Sequence, residues 1–359
     1  MGYFPECMDG VLQASATEYK SNGWSYDYDD ADIHMVNNRE YYLGIPNIYR
    51  GLRANVYVTE RNQTGSHSSY KTNVAYDGTF ATFSPFYYGR GNANNMQRPW
   101  TWTAEITKYS PFNFEIENVD PLGIYYSALY GYKNSLVTAV AKNARYNEIG
   151  FDSFENDQNI AIGGQRGHVL CIPTNSSQIT SEFAHSGKKS FKTDKLSVNI
   201  GDDSKLNLQN GRKYTLTCWV RKVNCTTLDN LGNDYILAYN GATLNIAKEP
   251  KVDCWQRIEV EFTYNVSSGV LEILPASRGV FYVDDIRIMP ADAITKCYVY
   301  SPQNYRLLAE LDENHFATYY NYDEEGTLVQ IKKETERGIM TVKTTRQHIK
   351  TNVLQSQNP

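Results

Sequence analysis

Residues that could carry out chemistry are scattered along this chain. The histidines stand far apart, at His34, His67, His168, His185, His315 and His348. The sequence contains no H-E-x-x-H zinc motif, no G-x-S-x-G nucleophile motif, no P-loop and no dinucleotide-binding glycine pattern. No pair among the 40 acidic residues stands out in the sequence as lying in an apolar setting that would raise a carboxyl pKa for acid catalysis. We therefore expect that the chain is not an enzyme.

Two groups of residues have side chains that bind metal ions, and neither has a diagnostic spacing. Oxygen ligands for Ca²⁺ could come from Asp27, Asp29, Asp30 and Asp32. The glycine and final glutamate of an EF-hand loop are missing there, so a solvated acidic turn is the alternative. The cysteines show no C-x-x-C spacing, which argues against zinc; they are Cys7, Cys171, Cys218, Cys225, Cys254 and Cys297. We interpret them as free core residues, with a disulfide as the alternative.

Composition predicts an all-β protein. The 359 residues leave room for two or three domains, and 29 of them are tyrosines, which favour strands. A net charge of −5 gives no basic footprint, so nucleic acid is not an expected partner. No apolar run is long enough to span a membrane, and residues 1–7 do not look like a signal peptide. We expect either a cytosolic protein or a piece of a longer exported one, and favour the latter.

One short pattern occurs twice. The first copy contains Tyr109-Ser110-Pro111, Asp120, Tyr130-Gly131-Tyr132 and Leu136-Val137. The second contains Tyr300-Ser301-Pro302, Asp312, Tyr320-Asn321-Tyr322 and Leu328-Val329. In the second copy Gly326 stands where a tight turn needs a positive φ, and the following residues alternate apolar and polar. We expect a β-meander, with a generic acidic hairpin as the alternative for either copy alone. Residues 136–144 of the first copy also suggest a short helix.

The pair Tyr322-Asp323, followed three residues later by Gly326, resembles the YD repeat of Rhs-type proteins, which build large β-structures in exported bacterial proteins. Residues 1–157 and 292–350 are similar to segments of very large bacterial surface proteins that carry such repeats. The resemblance implies a structural or adhesive role. It also implies a place on the cell surface or outside the cell, as part of a longer polypeptide or assembly.

Residues 151–291 have a different character. The stretches 213–220, 235–239 and 255–262 read as strands, and Asn240-Gly241 is a strong hairpin signal. About eight strands in this space predict a β-sandwich. Their order resembles the jelly-roll of carbohydrate-binding modules, which implies glycan as a partner. In such modules an opening glutamate and a closing acid share a structural calcium, and the matching residues are Glu155 and Asp285. The alternative is that Asp284 is a turn residue and Asp285 caps backbone amides.

Aromatic side chains are the candidate ligand platform of this sandwich. Tyr235 and Tyr239, beside the hairpin, are the rings that we expect to be exposed. Trp219 and Trp255 are further candidates, but core packing is the simpler interpretation of both. Strict alternation puts Trp255 on the charged face of its strand, so we expect an irregularity before Ile258 that returns it to the core.

These observations give one organisation. Residues 1–105 form a β-rich segment, 106–150 and 292–359 hold the two repeat copies, and 151–291 form an inserted jelly-roll. If the jelly-roll is an insertion, the two copies should share a sheet or lie on adjacent sheets. The expected function is a non-catalytic structural or adhesive segment with glycan binding. The alternatives are a targeting module of a polysaccharide-degrading enzyme and part of an Rhs-type shell that encloses a toxin.

Overall fold

The computed structural model describes most of the chain from residue 100 to residue 345 and short stretches before it. These residues are 13–21, 25–26, 49–58, 61–62, 79–80, 86, 100–110, 112–155, 168, 178–200, 206–225, 235–244, 246, 251–265, 269–276 and 279–345. Several residues singled out in the sequence lie outside them: the acidic stretch from Asp27 to Asp32, Cys7 and Cys171.

The described elements are strands, apart from 3₁₀ turns such as Tyr146–Glu148, which confirms the all-β prediction. In the first compact unit, Met1–Ser127, they are β1 (Ser15–Lys20), β2 (Ser25–Tyr26), β3 (Arg50–Tyr57), β4 (Arg61–Asn62), β5 (Thr79–Phe80), β6 (Trp100–Tyr109) and β7 (Glu115–Val119). Strand β8 (Tyr125–Gly131) begins in this unit and ends in the next. None of the described residues forms a helix long and apolar enough to cross a membrane.

The second unit, Ala128–Pro359, contains the remaining strands. They are β9 (Leu136–Lys142), β10 (Gly150–Asp152), β11 (Ile179–Thr180), β12 (Ser190–Thr193), β13 (Leu196–Asn199), β14 (Lys213–Lys222), β15 (Tyr235–Tyr239), β16 (Ala242–Leu244), β17 (Lys251–Val252), β18 (Trp255–Thr263), β19 (Val270–Pro275), β20 (Phe281–Pro290), β21 (Ile294–Tyr300), β22 (Leu307–Leu311), β23 (Ala317–Tyr322), β24 (Leu328–Thr335) and β25 (Gly338–Thr344).

The first unit is built on antiparallel strands in the order β1-β3-β6-β7, with β2 parallel to β6. Polar contacts fix the register of this sheet. Arg53 forms an ion pair of 2.5 Å with Glu105 on the neighbouring strand, and the Tyr109 hydroxyl donates to the Gly51 carbonyl at 2.8 Å. A chain reversal at Asp120–Ile124 follows β7.

The second unit contains a meander sheet in which β9, β21, β22, β23, β24 and β25 lie side by side in that order. Strand β9 pairs antiparallel with β21, so the part of the first copy in this unit shares a sheet with the second copy, as expected for an insertion. Tyrosines of the two copies also contact each other. Tyr132 donates its hydroxyl to the Tyr300 carbonyl at 2.7 Å and accepts from the Tyr300 amide at 3.0 Å.

The helix suggested for residues 136–144 is wrong, because Leu136–Lys142 is strand β9. Its alanines, Ala139 and Ala141, are buried in a core that includes Leu129, Cys297 and Leu311. Hydrogen bonds to β21 satisfy this backbone, and the apolar residues are divided between the two faces of the strand, with Leu136 and Val140 opposite the two alanines.

The inserted segment forms the predicted sandwich between Gly150 and Pro290. One sheet has the order β11-β12-β20-β14-β18-β17, with β10 also paired to β20, and the other has the order β13-β19-β15-β16. Alternate residues of β14, β18 and β20 point into the core between the sheets, and so do Leu237, Leu271 and Ile273 of the smaller sheet. The hairpin at Asn240-Gly241 is confirmed, since both residues have the positive φ that its turn needs, 49° and 81°.

Candidate functional site

The outer face of the larger sandwich sheet carries a cluster of aromatic side chains that is separate from the core between the sheets. Trp219, Trp255 and Tyr282 are buried there, with Phe183 and Phe316 packed against them. The pairing of β14 with β18 is regular from Val220↔Gln256 to Lys213↔Thr263, so Trp255 lies on the face opposite Ile258. The predicted irregularity is therefore wrong. Trp255 is nevertheless only 4% exposed, because His185 lies against it with ring centroids 5.8 Å apart and Phe316 of the second repeat copy packs on the cluster.

An irregularity does occur in β20, at the two acidic residues. The register of β14 against β20 shifts between Thr217 and Trp219, and Asp285 has a φ of 47°. Both carboxylates consequently reach the segment at His185 and Ser186. Asp284 accepts bonds from the amides of His185 at 2.7 Å and Asp285 at 2.8 Å. Burial, and then the neighbouring Asp285 carboxylate, raise the pKa of Asp284 well above its usual value.

His185 is held between two carboxylates that belong to different parts of the second unit. Its Nδ1 lies 2.7 Å from Asp285 of the sandwich, and its Nε2 lies 3.0 Å from Glu334 of the meander. The imidazole stacks on Trp219, with ring centroids 4.0 Å apart. Burial by itself lowers the pKa of His185, but Glu334 and Asp285 more than offset it and raise the pKa to about 9. At neutral pH the side chain is thus an imidazolium that donates from both nitrogens.

Arg287 joins the same two parts of the unit a short distance along β20. The fully buried guanidinium donates to the carbonyl oxygens of Thr295 at 3.0 Å, Asp312 at 3.1 Å and Glu313 at 3.1 Å. Trp219 donates from its indole nitrogen to the carbonyl of His315 at 3.0 Å. The turn Asp312–Phe316 of the second copy is therefore docked on the sandwich through its own backbone carbonyls.

The chemistry of this cluster is that of a structural joint. A general base must accept a proton. The imidazolium of His185 already carries a proton on both ring nitrogens at neutral pH, so it has no free nitrogen to accept another. Sequence reasoning missed His185, Arg287 and Glu334, although His185 lies within residues 151–291, which we interpreted only as the sandwich. The two carboxylates that contact His185 are 100 and 149 residues away along the chain, and no local pattern signals such a contact.

A cleft of about 470 Å³ lies beside this joint. One wall is the turn that carries Val252, Asp253 and Trp255 of the sandwich. The opposite wall is formed by meander strands β23, β24 and β25, including Tyr319 and Lys332. His185 and Glu334 also line the cleft, so the joint fixes the separation of the two walls.

The two predicted calcium ligands occupy one buried acidic region but differ in their partners. Oε1 of Glu155 accepts the amides of Lys188 and Lys189, while its buried Oε2 has no hydrogen-bond partner among the described residues. Burial raises the pKa of Glu155 to about 7, in spite of these amides. Asp285 bonds to Ser186 through Oδ1 and to His185 through Oδ2. The cationic group beside Asp285 is the His185 side chain. Across the described chain no three acidic, histidine or cysteine side chains are grouped for a metal ion.

The four predicted aromatic platform residues lie largely inside the protein. Trp219 is fully buried and Tyr235 is 6% exposed, packed against Phe281 with centroids 5.4 Å apart. Tyr239 is half-buried and packs on Phe262 at 5.2 Å. The exposed platform expected at Tyr235 and Tyr239 is not formed, because both rings point towards the sandwich core. Trp255 is the member of the set that borders the cleft.

Cysteine pairing also differs from the default interpretation. Cys225 and Cys254 form a disulfide that links the end of the β14 segment to the turn before Trp255. Both Asp253 and Cys254 have positive φ, 47° and 69°, which makes the tight turn between β17 and β18. Cys218 and Cys297 are free and buried, as expected.

Comparisons with known proteins give a likeness in architecture alone. No protein-family model matches the chain, and no curated protein matches it. Among solved structures, the CBM22-1 xylan-binding domain from Paenibacillus barcinonensis Xyn10C is 20% identical, with a TM-score of 0.27 over 39% of this chain and 92% of that chain. CBM35 from Cellvibrio japonicus Abf62 is 12% identical, with a TM-score of 0.24 over 32% of this chain and 83% of that chain. Scores this low carry no information about what this chain binds.

Proposed function

We propose that this chain is a non-catalytic structural and adhesive segment of a large exported bacterial protein, and that it binds a glycan. The observation that carries the structural part is the buried joint. His185 and Arg287 are used to hold the sandwich against the second repeat copy, where they contact Glu334 and the carbonyls of the docked turn. Buried charged side chains that are paired in this way favour one fixed orientation of the sandwich relative to the second repeat copy.

Export is supported by the Cys225–Cys254 disulfide. Disulfides persist in oxidising surroundings such as the cell surface and the extracellular space, and they are rare in the cytosol. A surface location would also suit a glycan ligand. Mass spectrometry of the protein isolated from its source under alkylating conditions would test this point, since the account expects the two cysteines to be protected.

The relation to YD-repeat proteins is supported by the turns. Asp120, Asp312 and Asp323 each accept an amide bond through their side chain from the residue four positions later, at 2.9, 2.9 and 2.7 Å. Each turn has a positive φ at its fourth residue: Gly123, His315 and Gly326. One turn geometry used repeatedly within meanders is what a tyrosine- and aspartate-rich repeat would build.

Calcium at Glu155 and Asp285 remains part of the proposal. The Oε2 of Glu155, which has no hydrogen-bond partner among the described residues, favours a bound cation, while the raised pKa of Glu155 and the His185 contact of Asp285 compete with it. Because ligation stabilises only the folded state, a chelator should lower the melting temperature of the calcium-loaded full chain. An identical melting curve in chelator and in calcium would contradict metal binding.

The alternative, a targeting module of a polysaccharide-degrading enzyme, predicts a sandwich that works as a separate domain. Burial of Arg287 between the sandwich and the meander favours the first proposal. Flanking gene sequence discriminates further: more Tyr-Asp repeats support a structural segment, a catalytic domain supports the alternative, and a C-terminal toxin supports an Rhs-type shell.

The experiment that tests glycan binding is an array screen with the intact, oxidised chain. The expected result is saturable binding to at least one glycan, reproduced in solution by calorimetry. Absence of binding across a broad array would overturn the adhesive part of the proposal and leave the structural part in place.

A further inference from the structure

One face of the meander sheet changes its chemistry along its width. Register pairs place Cys297, Leu311, Ala317 and Tyr319 on a single face, running from β21 to β23. The residues at β21 and β22 are apolar and belong to the core that Phe151 and Met289 of the inserted segment cover. The same face continues at β23, β24 and β25, where it lines the cleft.

At the cleft this face presents mainly polar and aromatic side chains, with the partly exposed Ile339 of β25 beside them. Tyr319 pairs with Lys332, and Lys332 pairs with Thr341, so these three form a row across β23, β24 and β25. Asn321 is two residues beyond Tyr319 and lies on the same face. A sheet face that was simply awaiting cover would keep the apolar residues seen nearer β21. The face therefore changes from apolar to polar at the place where the sandwich and the meander no longer contact each other and the cavity begins.

The cavity is held in shape from both sides. The His185–Glu334 contact of 3.0 Å fixes its base, and Glu334 also accepts the Ala317 amide at 3.0 Å. The disulfide at Cys254 constrains the turn that carries Asp253 and Trp255. A pocket of this size with pre-arranged walls binds small ligands at low entropic cost.

The groups in the walls select the kind of ligand. Asp253 and Lys332 bring one negative and one positive charge, and Glu334 is neutralised by His185, so the walls carry no net charge. Tyr319, Asn321 and Thr341 offer hydroxyl and amide groups that donate and accept hydrogen bonds. The partly buried ring of Tyr319 adds aromatic surface beside them. An uncharged ligand with many hydroxyl groups matches this set.

We propose that the cleft between the 252–255 turn and strands β23–β25 is a binding site for a neutral oligosaccharide. The proposal rests on the proposed glycan-binding function and places its ligand next to Trp255 and away from the other three aromatic positions expected from the sequence, Trp219, Tyr235 and Tyr239. Both walls contribute, so the ligand would also hold the sandwich and the second repeat copy together.

The test uses the intact chain with xylo-, cello-, manno- and chito-hexaoses as neutral probes and a galacturonic acid oligomer as the acidic one. Lys332→Ala removes a cleft group, and Lys333→Ala is its matched control, because Lys333 is the next residue and faces the other side of β24. Thr341→Trp fills the cleft, and Met340→Trp adds the same bulk on the opposite, exposed face of β25. Both strand positions are exposed, and melting curves check that each variant folds.

The expected result is calorimetric binding of a neutral hexasaccharide that Thr341→Trp and Lys332→Ala each weaken by about tenfold or more, with both controls unchanged. Equal binding by Thr341→Trp and the parent chain would overturn the site and leave glycan binding in place. Binding of the acidic oligomer alone would overturn the neutral ligand class. Binding of no probe at millimolar concentration would overturn the site and count against the proposed function as well.

Discussion

The turns Asp120–Ile124 and Asp312–Phe316 have the same backbone and different surroundings. In each, the aspartate side chain accepts amides two and four residues later, and the fourth residue has a φ of 80° or 68°. The first turn is open to solvent, with Leu122 84% exposed. In the second, His315 is fully buried and the carbonyls bond to Arg287 and Trp219. The comparison teaches that a local sequence can specify a turn without specifying what the turn contacts.

The second turn has a cost that the first lacks. A residue with a side chain in the left-handed region is disfavoured by about 1–2 kcal/mol relative to its usual conformation, and Gly123 avoids this cost. His315 incurs this cost, because its φ is 68°. Its ring nitrogens also have no hydrogen-bond partners in the described part of the chain. Burial, and then the nearby Arg287, lower the pKa of His315 well below its usual value, so the ring is neutral. The docking contacts of the surrounding carbonyls must offset this cost.

The largest expected effect comes from removing the group that receives the docked turn. Arg287→Met removes the guanidinium donor from the carbonyls of Thr295, Asp312 and Glu313, of which Asp312 keeps the His315 amide as a partner. Each unsatisfied buried acceptor costs about 1–3 kcal/mol, so we expect a loss of roughly 3–5 kcal/mol in the free energy of unfolding of the second unit. Chemical denaturation monitored by tryptophan fluorescence measures it. A loss below 1 kcal/mol would mean that the turn does not depend on these bonds.

Trp255→Ala tests the aromatic surface under the same turn. Removing a buried tryptophan leaves a cavity, and we expect a loss of about 3–5 kcal/mol in the free energy of unfolding. Trp102→Ala in β6, a half-buried residue of the first unit, is the control and should cost much less. If Trp255→Ala leaves the melting curve unchanged and abolishes glycan binding, the side chain is a sugar platform instead of a core residue.

The pH dependence of stability tests the His185 contacts. A histidine whose pKa is raised from about 6.5 to about 9 adds stability that is complete below pH 6.5 and is lost as the pH rises through 9. The loss is on the order of 3 kcal/mol, and His185→Gln should remove this slope. Glu155, whose pKa is raised to about 7, causes a separate decline between about pH 4.5 and 7 that should persist in that variant. A parent curve that is flat from pH 6.5 to 9 would contradict the ion pairs.

The smallest expected effect comes from the turns themselves. Asp120→Ala removes two exposed side-chain bonds to amides and should cost about 1 kcal/mol. Asp312→Ala removes the equivalent bonds and also loosens the carbonyls that Arg287 and Trp219 hold, so it should cost about twice as much. Thermal denaturation of both variants provides the comparison, and equal costs would show that docking adds nothing to the second turn.

The sequence predicted the parts of the fold that local patterns determine. The Asn240-Gly241 hairpin and the turn at Gly326 were predicted from residues that tolerate positive φ. The strand Trp255–Thr263 was predicted from its alternation. Burial of Trp255 was also predicted, but the expected irregularity before Ile258 was wrong: Trp255 stays on the face of Arg257, and other residues bury it there.

The joint and the cleft could not be predicted, because they depend on contacts between distant segments. His185 meets Glu334, 149 residues away, and nothing near either residue signals the other. The bulge at Asp285 decides that two consecutive carboxylates reach one segment, and it follows from pairing with β14. The disulfide likewise depends on where the β17–β18 turn brings Cys254.

The central claim is that the sandwich and the second repeat copy form one cooperative structure through His185, Arg287 and the docked turn. Native-state hydrogen exchange on the intact chain tests it most directly. The account predicts that amides of β14, β18 and β20 and amides of β22, β23 and β24 exchange with the same opening free energy, and that Arg287→Met lowers both sets together. Meander amides that exchange freely while the sandwich stays protected would contradict it.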